Sequence, residues 1–143
     1  MTTATICELL GGAEALGGLP TSLHELRGRL EEGLPFPVLE AVRDTLGLSR
    51  AEVLSALGIT DRTLVRRKKE ERLHATESDR LFRLARIASL AVEVLEDVEK
   101  ARRWLHKPNR ALGGCVPLEL VTTEIGARQV EELLLRIDHG VFS

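Results

Sequence analysis

Residues 49 to 73, with the sequence SRAEVLSALGITDRTLVRRKKEERL, contain the pattern that decides the fold. Ser49 and Glu52 have the spacing of a capping box, in which each side chain accepts a backbone hydrogen bond at the start of a helix. Gly58 lies where this helix should end, because glycine accepts the left-handed backbone of a helix C-terminus. Thr60 can then cap a second helix. The stretch therefore predicts two helices joined by a tight turn, which is the helix-turn-helix arrangement.

The second of these helices is basic and amphipathic. The whole chain has a formal net charge of -2, but residues 49 to 73 contain seven basic and four acidic residues. A rotation of about 100° per residue predicts that Leu64 and Val65 pack inward. The other side then presents Arg62, Thr63, Arg66, Arg67 and Glu70. Guanidinium groups suit guanine in the major groove, so Arg62 and Arg66 are the predicted base contacts, and the lysines suit phosphates. A solvated basic face is the alternative. The predicted DNA-binding residues are Thr60, Arg62, Thr63, Arg66, Arg67, Lys68 and Lys69.

Helical periodicity continues on both sides of this unit and predicts an all-α protein. A capping box at Ser22 opens one helix, and Pro37 to Gly47 frame another. Downstream, an apolar stripe from Leu81 to Val98 predicts one long helix capped by Thr76, and a final helix begins near Arg128 or one turn earlier. The predicted organisation is an N-terminal helical arm at 1–32, a helix-turn-helix domain at 33–75 and a helical C-terminal domain at 76–143.

Composition and spacing exclude several classes of protein. The chain of 143 residues is 43% hydrophobic and 29% charged, which is typical of a soluble globular protein. Its two cysteines, Cys7 and Cys115, are far apart, and neither they nor the four histidines have the spacing of a metal site. The apolar runs are too short to cross a bilayer, and the first residues lack the pattern of a signal peptide. We therefore expect a cytoplasmic protein with no metal, cofactor, membrane contact or small-molecule substrate.

Catalysis is not expected either. His106 and His139 have potential partners close by in the sequence, but adjacent residues on a helix point in different directions. Cys115 has no basic neighbour that would activate its thiol. The sequence therefore predicts no catalytic residue and no enzyme.

The segment from Trp104 to Leu120 is an apolar loop. Prolines at 108 and 117 and glycines at 113 and 114 prevent one continuous helix, yet the segment contains Leu112 and Leu118, which must be buried somewhere. Two interpretations are open. Either the segment packs against its own domain, or it forms a docking surface for another protein.

A set of short motifs runs through the second half of the chain in a fixed order. These are Glu77-Ser-Asp-Arg-Leu81, Arg83-Leu-Ala-Arg-Ile87, Trp104-Leu105, Pro108-Asn109, Ala111-Leu-Gly-Gly114, Pro117-Leu-Glu-Leu120, Gly126, Arg136-Ile137 and Gly140-Val141. Upstream lie Leu57-Gly-Ile59, Arg62-Thr-Leu64 and Arg66-Arg67. In order and register, roughly the C-terminal half of the chain resembles the Xre/ParS/MbcA family of antitoxins, and the upstream motifs also resemble the DNA-binding part of that family.

The resemblance implies a partner and a role. Antitoxins of this family partner a RES-domain toxin that destroys NAD, so the chain is expected to block the active site of such a toxin. It is also expected to repress its own operon by binding the operator DNA. The alternative is a stand-alone dimeric helix-turn-helix repressor. The expected toxin-binding residues are Trp104, Asn109, Leu112, Gly113, Gly114, Pro117, Leu118, Arg136, Gly140, Val141, Phe142 and Ser143.

The tail after the final helix suggests how inhibition works. Gly140 can end that helix, so that Val141, Phe142 and the carboxylate of Ser143 project as an apolar, anionic tip. A pocket that binds an anionic dinucleotide contains basic groups that could accept this carboxylate. Our hypothesis is that the tail plugs or covers the NAD site of the toxin. The alternative is that Phe142 closes the core of its own domain.

Operator binding also predicts a homodimer. A single helix-turn-helix binds DNA weakly, so proteins of this kind generally bind two half-sites as a two-fold dimer. The long apolar stripe from Leu81 to Val98 is the predicted dimer surface. The domain at 76–143 is therefore expected to serve both dimerisation and toxin binding.

Overall fold

The protein, described by a computed structural model over residues 3–140, contains ten α-helices in that range and no β-strand. The prediction of an all-α protein is confirmed. In chain order the helices are α1 (Thr3–Leu9), α2 (Gly12–Leu16), α3 (Leu23–Glu32), α4 (Phe36–Leu46), α5 (Arg50–Leu57), α6 (Asp61–Glu70), α7 (Ala75–Leu95), α8 (Val98–His106), α9 (Pro117–Leu120) and α10 (Glu124–Asp138). A short 3₁₀ turn, Arg110–Leu112, lies between α8 and α9.

The 21-residue helix α7 is the centre of the fold. It packs against α1, α3, α4, α5, α8 and α10. Its buried face includes Leu81, Leu84, Ile87 and Ala91. Helices of the same chain therefore cover the stripe from Leu81 to Ala91, so this part of α7 does not form the predicted dimer surface. An apolar stripe indicates that a helix face is buried but does not indicate which partner covers it.

Helix α7 also ends earlier than predicted. Glu96 adopts a left-handed backbone with a φ of 59°, which breaks the helix after Leu95. Asp97 then caps α8, where its carboxylate accepts a hydrogen bond from the N–H of Lys100 at 3.0 Å. Val98 therefore starts a new helix and does not continue the stripe.

Two arginines in the first half of α7 hold the ends of other helices. Arg80 donates to the carbonyl of Leu57, the last residue of α5, at 2.7 Å. Arg83 donates to the carbonyls of Val121 and Thr122, just beyond α9, at 3.0 and 2.8 Å. The last carbonyls of a helix have no partner within that helix. By supplying these partners, α7 fixes α5 and α9 relative to each other.

A single apolar core joins the three predicted domains. Ile6 of α1, Val53 of α5, Leu64 of α6 and Leu134 of α10 all belong to one buried cluster. Within the described part of the N-terminal segment, α1 and α3 pack directly against α7. The predicted boundaries thus divide the sequence but not the core.

Candidate functional site

Helices α5 and α6 form the predicted helix-turn-helix. Both bonds of the capping box are present: the Ser49 N–H donates to the Glu52 carboxylate at 2.8 Å, and the Glu52 N–H donates to the Ser49 hydroxyl at 3.1 Å. Gly58 ends α5 with a φ of 66°. The Thr60 hydroxyl accepts a hydrogen bond from the N–H of Thr63 at 3.2 Å and so caps α6. The local chemistry predicted for this unit is confirmed.

The outer face of α6 consists of Arg62, Val65, Arg66 and Lys69, which are all exposed. Leu64 is the buried apolar residue of this helix. The prediction that Val65 packs inward is wrong, because 58% of its surface is exposed. The outer face therefore combines three cations with one apolar side chain. An exposed basic helix face of this kind suits the major groove of DNA.

Arg67 lies on the buried side of α6, and only 7% of it is exposed. Its Nε atom is 2.8 Å from Glu77 Oε1 on α7, and its Nη1 atom is 3.0 Å from Glu70 Oε1. The hydrogen bond to Glu77 raises the pKa of Arg67 above its ordinary value. Glu77 also accepts a bond from the N–H of His74 at 3.0 Å, so His74, and not the predicted Thr76, caps α7. Arg67 therefore does not lie on the exposed face of α6 where the sequence placed it, because this side chain joins α6 to α7.

The remaining predicted DNA-binding residues lie around the start and the edge of the outer face. The hydroxyls of Thr60 and Thr63 are 3.2 Å apart, in the cap of α6. Lys68 is exposed and borders a cleft between α4, α5 and α6. Arg50 pairs with Asp61 and joins the first residues of α5 and α6. This pairing offsets the one negative charge in the first turn of α6.

The loop between α8 and α9 is closed by its own hydrogen bonds. The N–H of Asn109 donates to the Cys115 carbonyl at 3.0 Å, and the N–H of Gly114 donates to the Asn109 carbonyl at 2.8 Å. The Asn109 side chain accepts a bond from the N–H of Ala111 at 2.9 Å. Gly113 and Gly114 have φ values of 67° and 84° and are exposed. The loop thus holds an exposed backbone in a fixed shape, which lowers the entropic cost of binding a partner.

Four predicted toxin-binding side chains anchor this loop to the protein. Pro117 and Leu118 are buried. Trp104 and Leu112 are half-buried and pack against the core. For these four side chains, the interpretation that the segment packs against its own domain is confirmed. The exposed part that is left for docking is the turn from Asn109 to Cys115.

Helix α10 presents a second exposed surface. Val130 and Leu134 are buried, as the sequence predicts, but Ile125 is 70% exposed and Leu135 is 40% exposed. Ile125 lies about 20° from Arg136 around the helix, since eleven residues make just over three full turns. The sequence interpretation did not single out Ile125. The same helical periodicity places it about 180° from Leu134 and would have identified it.

The end of α10 leads to the predicted inhibitory tail. Arg136 and Gly140 are exposed. Val141, Phe142 and Ser143 lie outside the described residues. The plug hypothesis therefore stays a prediction.

Helix α8, which carries the tryptophan of the loop segment, is attached to the helix-turn-helix side of the molecule. Arg102 donates to the carbonyls of Thr45 and Asp44 at the end of α4, at 2.8 and 3.1 Å. His106 Nε2 is 3.4 Å from Glu52 Oε2 on α5. These contacts fix the C-terminal surface relative to α4 and α5.

Other kinds of site find little support in the part of the chain that the structure describes. Between residues 3 and 140, no group of histidine, cysteine, aspartate and glutamate side chains is placed to hold a metal ion. No helix in that range is long and apolar enough to cross a membrane. Cys7 is buried, and this burial raises the pKa of its thiol, which disfavours the reactive thiolate.

An exposed basic helix and a rigid C-terminal docking surface on one core define the class of protein, a DNA-binding regulator that also binds a second protein. Comparison with known families agrees with both halves. Residues 25–86 match the Antitoxin Xre-like helix-turn-helix domain, and residues 90–140 match the Antitoxin Xre/MbcA/ParS C-terminal toxin-binding domain. The chain belongs to the Xre/MbcA/ParS family of antitoxins. This membership supports a regulatory, non-enzymatic protein.

Individual relatives extend the match over most of the chain. An Antitoxin Xre of Yersinia enterocolitica is 36% identical over 129 residues, covering 88% of this chain and 87% of that protein. An Antitoxin Xre of Pseudomonas putida is 35% identical over 135 residues, covering 82% and 85%. A chain in the crystal structure of the M. tuberculosis MbcT–MbcA toxin–antitoxin complex is 28% identical, with a TM-score of 0.57, and the match covers 73% of this chain and 94% of that chain.

Proposed function

We propose that the chain neutralises a RES-domain toxin that degrades NAD, by blocking the toxin's active site, and that it represses its own operon in the cytoplasm. The observation that carries this proposal is the match of residues 90–140 to a toxin-binding domain. The likeness to a chain of the MbcT–MbcA complex supports the same role. The exposed basic face of α6 supports operator binding.

The proposed toxin-binding surface has a rigid part and a terminal part. The rigid part is the closed turn from Asn109 to Cys115 together with the outer face of α10, where Ile125 is exposed. Preorganised surfaces of this kind bind tightly because little conformational entropy is lost on docking. The terminal part is the tail after Gly140, which we propose enters or covers the NAD site. In this mechanism the rigid part provides affinity and the tail provides inhibition.

Deletion of Gly140 to Ser143 should raise the concentration needed for half-inhibition of the toxin at least tenfold, while complex formation persists. Inhibition should weaken because no tail then enters or covers the NAD site. The complex should persist because the turn and α10 still bind the toxin. The measurement is NAD turnover by the RES-type protein encoded beside this gene, with size-exclusion chromatography to follow the complex. Full inhibition by the shortened chain would show that the tail is not needed, and that the rest of the antitoxin blocks the active site by steric masking.

The rigid part is tested separately by Ile125→Asp, which places a charge on the exposed apolar surface of α10. This variant should lose complex formation and inhibition together. Leu23→Asp is the matched control, because Leu23 is a 72% exposed leucine on α3, outside the proposed surface. If wild-type protein neither binds the toxin nor lowers NAD turnover, the chain is instead a stand-alone repressor.

Arg66→Ala should weaken binding to the promoter DNA of the chain's own operon by about tenfold or more, since a bidentate contact to a base is worth about 1–3 kcal/mol. Arg62→Ala should act in the same way. Lys69→Ala should weaken binding to promoter and competitor DNA alike, and should reduce the slope of log affinity against log salt by about one. Fluorescence anisotropy at several salt concentrations measures both effects.

Lys107→Ala provides the control for these variants, because Lys107 is an exposed cation beyond α8. It should bind promoter DNA like the wild type. If Arg62→Ala and Arg66→Ala also bind like the wild type, the basic face of α6 is only solvated.

We also propose that the chain binds its operator as a homodimer, because a single α6 contacts only one half-site. The buried face of α7 does not supply the dimer interface. Analytical ultracentrifugation of the free chain and of the DNA complex gives the stoichiometry. A single copy on a full operator would remove this part of the proposal.

A further inference from the structure

Val65 is an exposed apolar side chain in the middle of the recognition helix α6. Its exposed fraction is 58%, while Leu64, the neighbouring apolar residue, is buried. At about 100° per residue, Lys69 lies about 40° from Val65 around the helix, Arg62 about 60° and Arg66 about 100°. Val65 therefore lies at one edge of the same exposed arc as the three cations.

Packing within the chain does not account for this side chain. Val65 borders the cleft between α4, α5 and α6, together with Phe36 and Lys68, but most of its surface remains in solvent. A β-branched residue also has no helix-forming advantage at an exposed position. Single exposed apolar residues are common on protein surfaces. What distinguishes Val65 is its place beside three exposed cations on the outer face of α6.

We infer that Val65 contacts the 5-methyl group of a thymine in the major groove of the operator. This inference rests on the proposed operator binding. Thymine is the only standard base that presents a methyl group in the major groove, and apolar side chains are its usual contacts. Arg62, Arg66 and Lys69 attract the DNA backbone and guanine edges, and they bring Val65 against the floor of the groove.

The charge around Val65 favours DNA over an apolar protein partner. A protein interface would have to bury Val65 together with the cations beside it, and burying unpaired charges is costly. In the major groove the same cations remain paired with phosphates or base acceptors. Val65 then adds preference for an A·T pair at one position of each half-site. The arginines, by contrast, prefer G·C pairs at the positions that they contact.

The experiment replaces single thymines of the promoter DNA with deoxyuridine, which lacks only the methyl group. After footprinting locates the half-sites, each thymine is exchanged in turn and binding is measured for wild type and Val65→Ala. We expect one thymine per half-site at which wild type loses about fourfold in affinity, the usual effect of one buried methyl group. Val65→Ala should bind the unmodified promoter about fourfold more weakly than wild type does. Exchange of the contacted thymine for deoxyuridine should not weaken its binding further.

Val98→Ala is the matched control, since Val98 is a 40% exposed valine on α8, outside the recognition helix. It should respond to deoxyuridine as wild type does. Circular dichroism confirms that both variants are folded. If every exchange is neutral for wild type, or if Val65→Ala responds as wild type does, the thymine contact is refuted and operator binding stands. If wild type shows no preference for promoter over competitor DNA, operator binding itself fails.

Discussion

Arg67→Ala should lower the free energy of unfolding by about 3–5 kcal/mol, although the residue lies on the recognition helix. Its guanidinium group is buried and bonded to Glu77 and Glu70, and Glu77 is only 5% exposed. Removal of one partner of a buried ion pair leaves the other charge buried and unpaired. Urea denaturation followed by circular dichroism measures the change.

Arg66→Ala is the matched control for this experiment, because it removes the same kind of side chain from the preceding position, which is exposed. It should change stability by less than about 0.5 kcal/mol, as is usual at exposed sites, while it weakens DNA binding. We therefore expect the Arg67 substitution to change mainly stability, and the Arg66 substitution to change mainly DNA affinity.

A double variant, Arg67→Met with Glu77→Leu, tests whether Arg67 contacts DNA. Replacing a buried ion pair by apolar side chains is often neutral or stabilising. The variant should recover most of the stability lost in Arg67→Ala, apart from about 1 kcal/mol for the cap that Glu77 gives to the N–H of His74. It should also retain promoter binding. If the double variant is folded but no longer binds the promoter, Arg67 contacts DNA.

Gly126→Ala should lower the free energy of unfolding by about 3 kcal/mol and weaken toxin binding at the same time. A Cβ atom at this position would lie 1.9 Å from the carbonyl oxygen of Leu120 and 2.7 Å from its carbonyl carbon. These are backbone atoms, so α9 must move away from α10 to make room. That movement displaces the anchors of the exposed turn, Pro117 and Leu118. Thermal denaturation should show a Tm about 10 °C lower.

Gly28→Ala makes the same substitution with the opposite expected sign. Gly28 lies in the middle of α3, and an added Cβ would meet no atom within 4 Å. Because alanine favours the helix over glycine, this variant should be more stable by about 0.5–1 kcal/mol. If both variants shift Tm in the same direction, the close approach of α9 and α10 is not what Gly126 serves.

The helix-turn-helix could be predicted from the sequence because its signals are local. The capping box of Ser49 and Glu52, the glycine turn at Gly58 and the cap at Thr60 each depend on residues within four positions of one another. The exposure of Val65 could not be predicted in this way. It depends on which side of α6 is buried, and contacts with other helices, such as the bond between Arg67 and Glu77 of α7, decide that.

Arg67 shows the same limit more strongly. In sequence it is one of four consecutive basic residues, and nothing in that run distinguishes it from its neighbours. Its role follows from Glu77, ten positions away on α7. The apolar stripe of α7 was likewise visible in the sequence, but a stripe that packs in the core and one that packs between two chains have the same periodicity.

The shared core limits how this antitoxin can change its partners over evolutionary time. A genetic crossover within or beside α7 would set that helix against foreign surfaces on α5 or α10, where interiors are packed too closely to accept mismatched shapes. Whole domains are therefore poor units of exchange between relatives. In the function proposed above, a new promoter is reached through the exposed side chains of α6, and a new toxin through the closed turn and the outer face of α10. On that proposal, we expect single surface substitutions to change one specificity without changing the other.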